Sequence, residues 1–266
     1  MRSNDGEGEA VNGLRRTFMN YLLTLAYDGT NYCGFQVQPN GRSVAQTFQD
    51  GLEAVLGTRT DIKGCSRTDA GVHALGFALN FHAETRIPPE KLPLALNQHL
   101  PPDIRVLSAR VVPEEFHARY AAHTKTYLYR IHNSPIDSPF DEKYYTRVPK
   151  RLDETRMEAA ARQFVGTHDF RALCAAGSSA AAHGDTVRTI TFCHVTRRGD
   201  EVDIEVTADG YLYNMVRILA GTLCEAGAGR LDPAAVPGIL AGCDRSKAGP
   251  TLPAKGLFLK CVQYGE

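Results

Sequence analysis

Apolar residues along this chain follow two rhythms, one of period two and one near 3.6, and the changes between them predict the order of elements. The run YLLTLAY over 21–27 is rich in strand-formers and stops at Asp28-Gly29, which predicts a strand and a turn. Val44, Phe48, Leu52 and Val55 recur at steps of four and three, giving a helix with one apolar stripe. Ser43 and Gln46 form a capping box at its start, and Gly57 ends it. A short strand over 61–65, a polar turn over 66–71 and a strand through 77–82 come next. A helical stretch, 90–99, lies between prolines 88, 89, 101 and 102, and 104–112 reads as a further strand. This β-α-β-β-α-β order predicts a ferredoxin-like antiparallel sheet with helices on one face.

After Pro113 the grammar repeats. A strand over 125–133 precedes a helix capped by Asp153, with Leu152 placed to staple onto Met157. Strands 187–198 and 201–208 face each other across the turn Arg198-Gly199-Asp200. Helical segments over 214–226 and 233–241 and a last strand over 256–264 complete the chain. The predicted fold class is α+β: two ferredoxin-like, RRM-like halves, 18–113 and 114–266, with antiparallel sheets joined around a central cleft. Residues 1–17 interleave Gly6, Gly8 and Gly13 with Asp5, Glu7 and Glu9 and have no apolar period, so a disordered leader is expected.

With 266 residues, 43% of them hydrophobic, the chain can bury the core of one large or two modest domains. Its 30 basic and 30 acidic side chains cancel, so a polyanion must be met by a local patch, and Lys and Arg crowd the stretch from Arg105 to Arg171. No apolar run approaches the roughly 18 residues of a membrane span, and the polar start carries no signal-peptide core, which predicts a cytoplasmic protein. Seven scattered cysteines without a C-x-x-C pair read as small buried hydrophobes rather than a disulfide framework or zinc site. The nine histidines make no H-E-x-x-H, there is no phosphate-binding loop, and Gly71 to Gly76 lacks the second glycine of a dinucleotide fingerprint. Neither metal nor cofactor is expected.

Chemistry concentrates in Ser66-Arg67-Thr68-Asp69-Ala70-Gly71-Val72-His73-Ala74, between two strands and held by both. An isolated R-x-D reads as an Asx-turn. This segment, however, resembles the G-R-T-D-A-G-V-H catalytic loop of the tRNA pseudouridine synthase A family. Other motifs follow in the family's order: Tyr27-Asp28-Gly29-Thr30 with Gly34-Phe35, Phe116-His117-Ala118-Arg119, Lys125-Thr126-Tyr127-Leu128-Tyr129-Arg130, Gly166-Thr167-His168-Asp169-Phe170, Val187-Arg188-Thr189-Ile190, Asp209 through Arg217, and Pro253-Ala254-Lys255-Gly256-Leu257. The chain departs from the commonest pattern at Ser66, where Gly is usual, and at Leu128 and Tyr213.

The resemblance implies that Asp69 is the carboxylate that reacts with the target uridine as its N1-glycosidic bond is exchanged for a C5 bond. Three routes are open to it: attack on the base, attack on the anomeric carbon, or removal of a sugar proton. It implies that Arg217 pairs with Asp69, a contact expected to lower the carboxyl pKa. It further implies that Tyr127 packs on the base and carries a hydroxyl for late proton transfer, and that Arg67 helps extrude the nucleotide, with His117 and Arg119 as further contacts to RNA. The substrate implied is tRNA, at uridines 38, 39 and 40 of the anticodon stem-loop, gripped by a homodimer, with no membrane or DNA partner. Two other classes are weighed: an RNA-binding module without turnover, against which the joint presence of Asp69, Tyr127 and Arg217 argues, and a nucleoside hydrolase, for which no second carboxylate cluster is seen.

Overall fold

Period-two segments of the sequence become strands of one continuous sheet in the computed structural model, which describes residues 17–39, 41–175, 177 and 182–265. The first part of the chain forms β1 (Thr17–Tyr27), α1 (Val44–Leu56), β2 (Ile62–Gly64), β3 (His73–Thr85), α2 (Leu92–Asn97) and β4 (Ile104–Val112). The second forms β5 (Ala122–His132), β6 (Thr146–Arg147), α3 (Glu154–Arg162), β7 (Gly166–Asp169), β8 (Val187–Arg198), β9 (Glu201–Ala208), α4 (Met215–Gly227), α5 (Val236–Gly242) and β10 (Leu257–Tyr264). The architecture is mixed α+β, and the sheet runs β4-β1-β3-β10-β5-β9-β8-β7, with β2 beside β3 and β6 beside β5.

The local reasons for these elements match their chemistry. Ser43 Oγ accepts from the Gln46 N–H at 3.2 Å, and Gly57 takes the left-handed φ of +77° that ends α1. Asp153 Oδ1 accepts from the N–H groups of Thr155 and Arg156, and Leu152 and Met157 are both buried beside this cap. Strand β9 buries every second residue, Val202, Ile204, Val206 and Ala208, while α4 is buried on nearly every face. Each fully buried aliphatic side chain contributes about 1.5–3 kcal/mol.

Differences from the sequence pattern have tertiary causes. β1 begins four residues before the apolar run, because Thr17 to Asn20 pair with β3 residues Thr85 to His82. β3 begins at His73 rather than 77, because Phe258 and Leu259 of β10 lie parallel to His73 and Ala74. The stretch 90–99 divides into a 3₁₀ turn, Pro89–Lys91, and the short α2, and 233–241 divides likewise into Pro233–Ala235 and α5. β6 and β7 were not predicted; both are too short to show a period. The expected leader lies outside the described residues. None of the seven cysteines is paired, and four, Cys65, Cys174, Cys193 and Cys224, are buried. Among the described residues no helix is long and apolar enough to cross a membrane.

One feature of the topology positions the chemistry. Apart from β3–β10 and β5–β6, all pairings are antiparallel, and the first and second parts of the sheet meet only along the short β3–β10 ladder at His73-Ala74. The polar loop 66–72 ends on that seam.

Candidate active site

The loop between β2 and β3 is fixed by backbone contacts together with two of its own hydroxyls. Phe35 N–H donates to Thr68 O at 3.1 Å, Gly71 N–H to Tyr32 O at 3.3 Å, and Val72 N–H closes a turn onto Asp69 O at 3.1 Å. Gly34, at φ +108°, brings its Cα against Thr68 O so closely that no side chain fits there. Beneath the loop, the Tyr27 hydroxyl lies 2.8 Å from Thr68 Oγ1. The far end is pinned by His73, whose Nδ1 accepts from Gly29 N–H at 3.0 Å and whose ring stacks on Phe258 with centroids 4.6 Å apart. Burial lowers the His73 pKa, so its ring serves as a neutral clamp.

Thus held, Asp69 projects toward the first turn of α4. Arg217 Nη1 lies 3.6 Å from Asp69 Oδ2, with 18% of the arginine side chain and 35% of the aspartate exposed. The guanidinium is anchored twice more: Nε donates to Leu252 O at 2.7 Å, and Nη1, the nitrogen that faces Asp69, donates to Asn214 Oδ1 at 2.6 Å. The expected pairing is present and acts in the expected direction, lowering the Asp69 pKa, but burial outweighs it. Burial raises the Asp69 pKa, and Arg217 pulls it down without cancelling that rise. The physical reason is distance and desolvation together: the pair is too long for a hydrogen bond, and the loop removes water from the carboxylate.

Tyr127 of β5 closes the site from the other part of the sheet. Its ring is buried and meets Tyr211 edge-on at 4.8 Å and 80°. Its hydroxyl lies 3.2 Å from Ser66 Oγ, so the serine that departs from the commonest family pattern is the tyrosine's partner. Burial drives the Tyr127 phenol well above its ordinary pKa, keeping it protonated.

Ser66, Asp69 and Tyr127 line a cleft of about 810 Å³, walled by the loop 66–69, by Tyr127, by residues 210–216 and by Leu257; Arg217 is not itself on the lining and meets the cleft through Asp69. Arg67 and Arg119 are exposed and lie on its lining. His117 does not line it; its Nδ1 accepts from Arg119 N–H at 3.1 Å and its ring lies tilted at 37° against Tyr120, with centroids 4.4 Å apart. Sequence reasoning did not single out Lys125, Arg188, Tyr211 or Asn214 as site residues, yet all four line the cleft. Lys125 had a signal, because it stands two residues before Tyr127 on one strand and therefore on the same face. Burial lowers the Lys125 pKa, and no hydrogen bond or ion pair engages its ammonium among the described residues. Arg188 is paired with Asp185 at 2.9 Å. A second hollow, about 900 Å³ around Val37, Arg42 and Asp50, contains none of these residues. Among the described residues no group of three or more His, Cys, Asp or Glu is placed to hold a metal ion.

The chain resembles known proteins along nearly all of its length. The family described as tRNA pseudouridine synthase matches residues 24–121 and 160–265. A tRNA pseudouridine synthase A from Caldicellulosiruptor saccharolyticus is 44% identical over 245 residues, covering 92% of this chain and 99% of that one. Another of that name, from Moorella thermoacetica, is 46% identical over 244 residues, covering 91% and 98%. Among solved structures, one of a Cbf5-Nop10-Gar1 complex aligns at 11% identity and a TM-score of 0.37, covering 94% of this chain and 59% of that one.

Proposed function

Because the chain belongs to the tRNA pseudouridine synthase family, we propose that it isomerises uridine to pseudouridine in tRNA, with Asp69 as the reacting carboxylate and without metal or cofactor. The observation that carries this reading is the Asp69–Arg217 pair, 3.6 Å apart and brought together from distant parts of the chain, with Asp69 lining a cleft that Tyr127 also lines. RNA binding alone gives no reason to bury a carboxylate, which repels phosphate.

The reaction needs little more than this. The N1–C1′ bond breaks, the uracil turns within the cleft, C5 bonds to C1′, and the C5 hydrogen leaves as a proton while N1 gains one. Asp69 engages the base, the anomeric carbon or a sugar proton, and in each case acts as an anion. Arg217 offsets part of the desolvation that opposes this charge. A Tyr127 hydroxyl that is already protonated takes up a proton only as it passes its own on; Ser66 Oγ at 3.2 Å accepts it only while giving up its own hydrogen in turn, so the two hydroxyls relay the proton to water at the cleft mouth rather than store it. Closing the cleft around the freed uracil keeps water from intercepting the sugar.

Finer features belong to the same proposal. The target uridines are those at 38, 39 and 40 in the anticodon stem-loop, reached once the nucleotide is everted, a step costing a few kcal/mol that Arg67 offsets through phosphate contact. Arg119 meets RNA at the cleft, with His117 beside it at the rim. The enzyme is a cytoplasmic homodimer whose protomer comprises two ferredoxin-like halves, 18–113 and 114–266. Support for the halves is the repeated strand order, β4-β1-β3-β2 in the first and β10-β5-β9-β8 in the second.

The test is incubation of the purified protein with unmodified tRNA transcript, with pseudouridine mapped by carbodiimide-dependent primer-extension stops. Wild type is expected to give stops in the anticodon arm, and Asp69→Ala to abolish them while still retaining tRNA in a binding assay. A variant with even a tenth of the wild-type rate would show that Asp69 is not the reacting group, and wild type without stops would leave an RNA-binding protein.

A further inference from the structure

An asparagine just before a helix ordinarily turns its side-chain oxygen onto the free N–H groups of the first turn. Asn214, which precedes α4, does not. It makes no capping bond, it sits at φ +60° and ψ +10°, and its Oδ1 accepts instead from Arg217 Nη1 at 2.6 Å. Only one other non-glycine residue among those described, Cys243, has a positive φ. The left-handed region is unfavourable for L-residues, though asparagine bears it better than most, and such geometry persists where the surroundings demand it. A cap left unmade supplies no such demand; the guanidinium does. With Leu252 O on Nε at 2.7 Å, Asn214 fixes Nη1, the same nitrogen that lies 3.6 Å from Asp69 Oδ2, so that one of its two hydrogens is taken and the other is left toward the carboxylate.

We propose that Asn214 is a positioning residue, whose side-chain oxygen aims the Arg217 guanidinium at Asp69 at the expense of a strained backbone. The role in turnover rests on the reading of Asp69 as the reacting carboxylate; the role in orienting Arg217 does not. A neutral acceptor suits this position, since a carboxylate would compete with Asp69 for the same guanidinium charge. Arg67 on the same loop, Arg119 and Lys125 toward β5, and His183, Asp185 and Arg188 toward β8 line the cleft, but Arg217, which does not, is the group that acts most strongly on the Asp69 carboxyl.

The experiment uses Asn214→Gly and Asn214→Asp in the full chain. Glycine accepts the left-handed φ without strain, so a capless helix start that merely tolerates asparagine would be unharmed by it. The expected result for Asn214→Gly is a Tm equal to or above wild type, a kcat on tRNA transcript about tenfold lower with KM little changed, and an acidic limb of the pH profile moved to higher pH. Asn214→Asp keeps an acceptor but competes with Asp69 for the guanidinium charge, so it is expected to recover kcat only in part; full recovery would show that the neutral character of Asn214 does not matter. Independently of turnover, carbon-13 observation of the Asp69 carboxyl in the free enzyme is expected to show a higher titration midpoint in Asn214→Gly. An unchanged Asp69 midpoint in that variant overturns the proposal, whether or not Tm falls. A raised midpoint in an enzyme whose Asp69→Ala variant still turns over would instead uphold Asn214 and sink the assignment of Asp69.

Discussion

Replacing Gly34 by Ala tests whether the reacting carboxylate is held by backbone contact with the segment before α1. A Cβ on Gly34 would stand 2.5 Å from Thr68 O, 3.2 Å from Asp69 C and 3.4 Å from Ala70 N, where real Cβ atoms essentially never come below 3.0 Å and ordinary contact begins at 3.4 Å. The loop at Thr68 must therefore retreat by about 0.5–0.9 Å, against the Phe35 N–H bond to that same carbonyl. Backbone strain at φ +108° adds about 1–3 kcal/mol, and overpacking a similar amount, so stability is expected to fall by about 2–6 kcal/mol. Asp69 moves with its neighbour, and a displacement approaching 1 Å costs up to about a hundredfold in rate, so kcat is expected to fall about 10- to 100-fold. The assay is pseudouridine formation on tRNA transcript, run well below the variant's own Tm so that all of it is folded, alongside a thermal melt and a tRNA-retention assay. If Gly34→Ala lowered Tm by several degrees yet kept kcat within twofold of wild type, the loop would not be positioned by this contact.

Two further outcomes follow from charge. Burial raises the Asp69 pKa above its value in the unfolded chain, so the ionised carboxylate costs stability above the folded pKa, a cost that disappears as pH falls below the unfolded value. Asp69→Asn is therefore expected to be more stable than wild type in urea at neutral pH while inactive, the gap narrowing as the medium is acidified; a variant less stable than wild type at pH 7 would show that Arg217 outweighs burial after all. Arg67, Arg119 and Lys125 line the cleft, and each phosphate neutralised contributes about −0.7 to the slope of log affinity against log salt for single-stranded nucleic acid. Wild-type affinity for tRNA is expected to fall steeply with salt and Lys125→Ala to flatten the slope by about 0.7; an unchanged slope would place Lys125 off the RNA path.

Local patterns made most elements legible. Strands β4, β8 and β9 stand where alternation placed them, because each residue's preference and its tertiary surroundings agree. The caps at Ser43 and Asp153 were readable for the same reason: a cap is a contact within four residues. The loop carrying Asp69 was legible through motif order, and so was its partnership with Arg217. The early starts of β1 and β3 were not, since both depend on a neighbouring strand that no local window contains. Asn214 resembled an ordinary helix cap until its side chain was seen turned away from the helix.

What the chain by itself determined is therefore the residue inventory and the local geometry: a carboxylate on a glycine-hinged loop, an arginine inside an apolar helix, and a tyrosine on a half-buried strand. Tertiary structure alone decided how those groups interact. It set 3.6 Å between Asp69 and Arg217, gave Tyr127 the Ser66 hydroxyl, and made burial prevail over ion pairing at Asp69. The reason is physical: propensity and capping act within a few residues, whereas desolvation and Coulomb energy depend on everything nearby in space, and residues 69, 127 and 217 become neighbours only once β3 and β10 have joined.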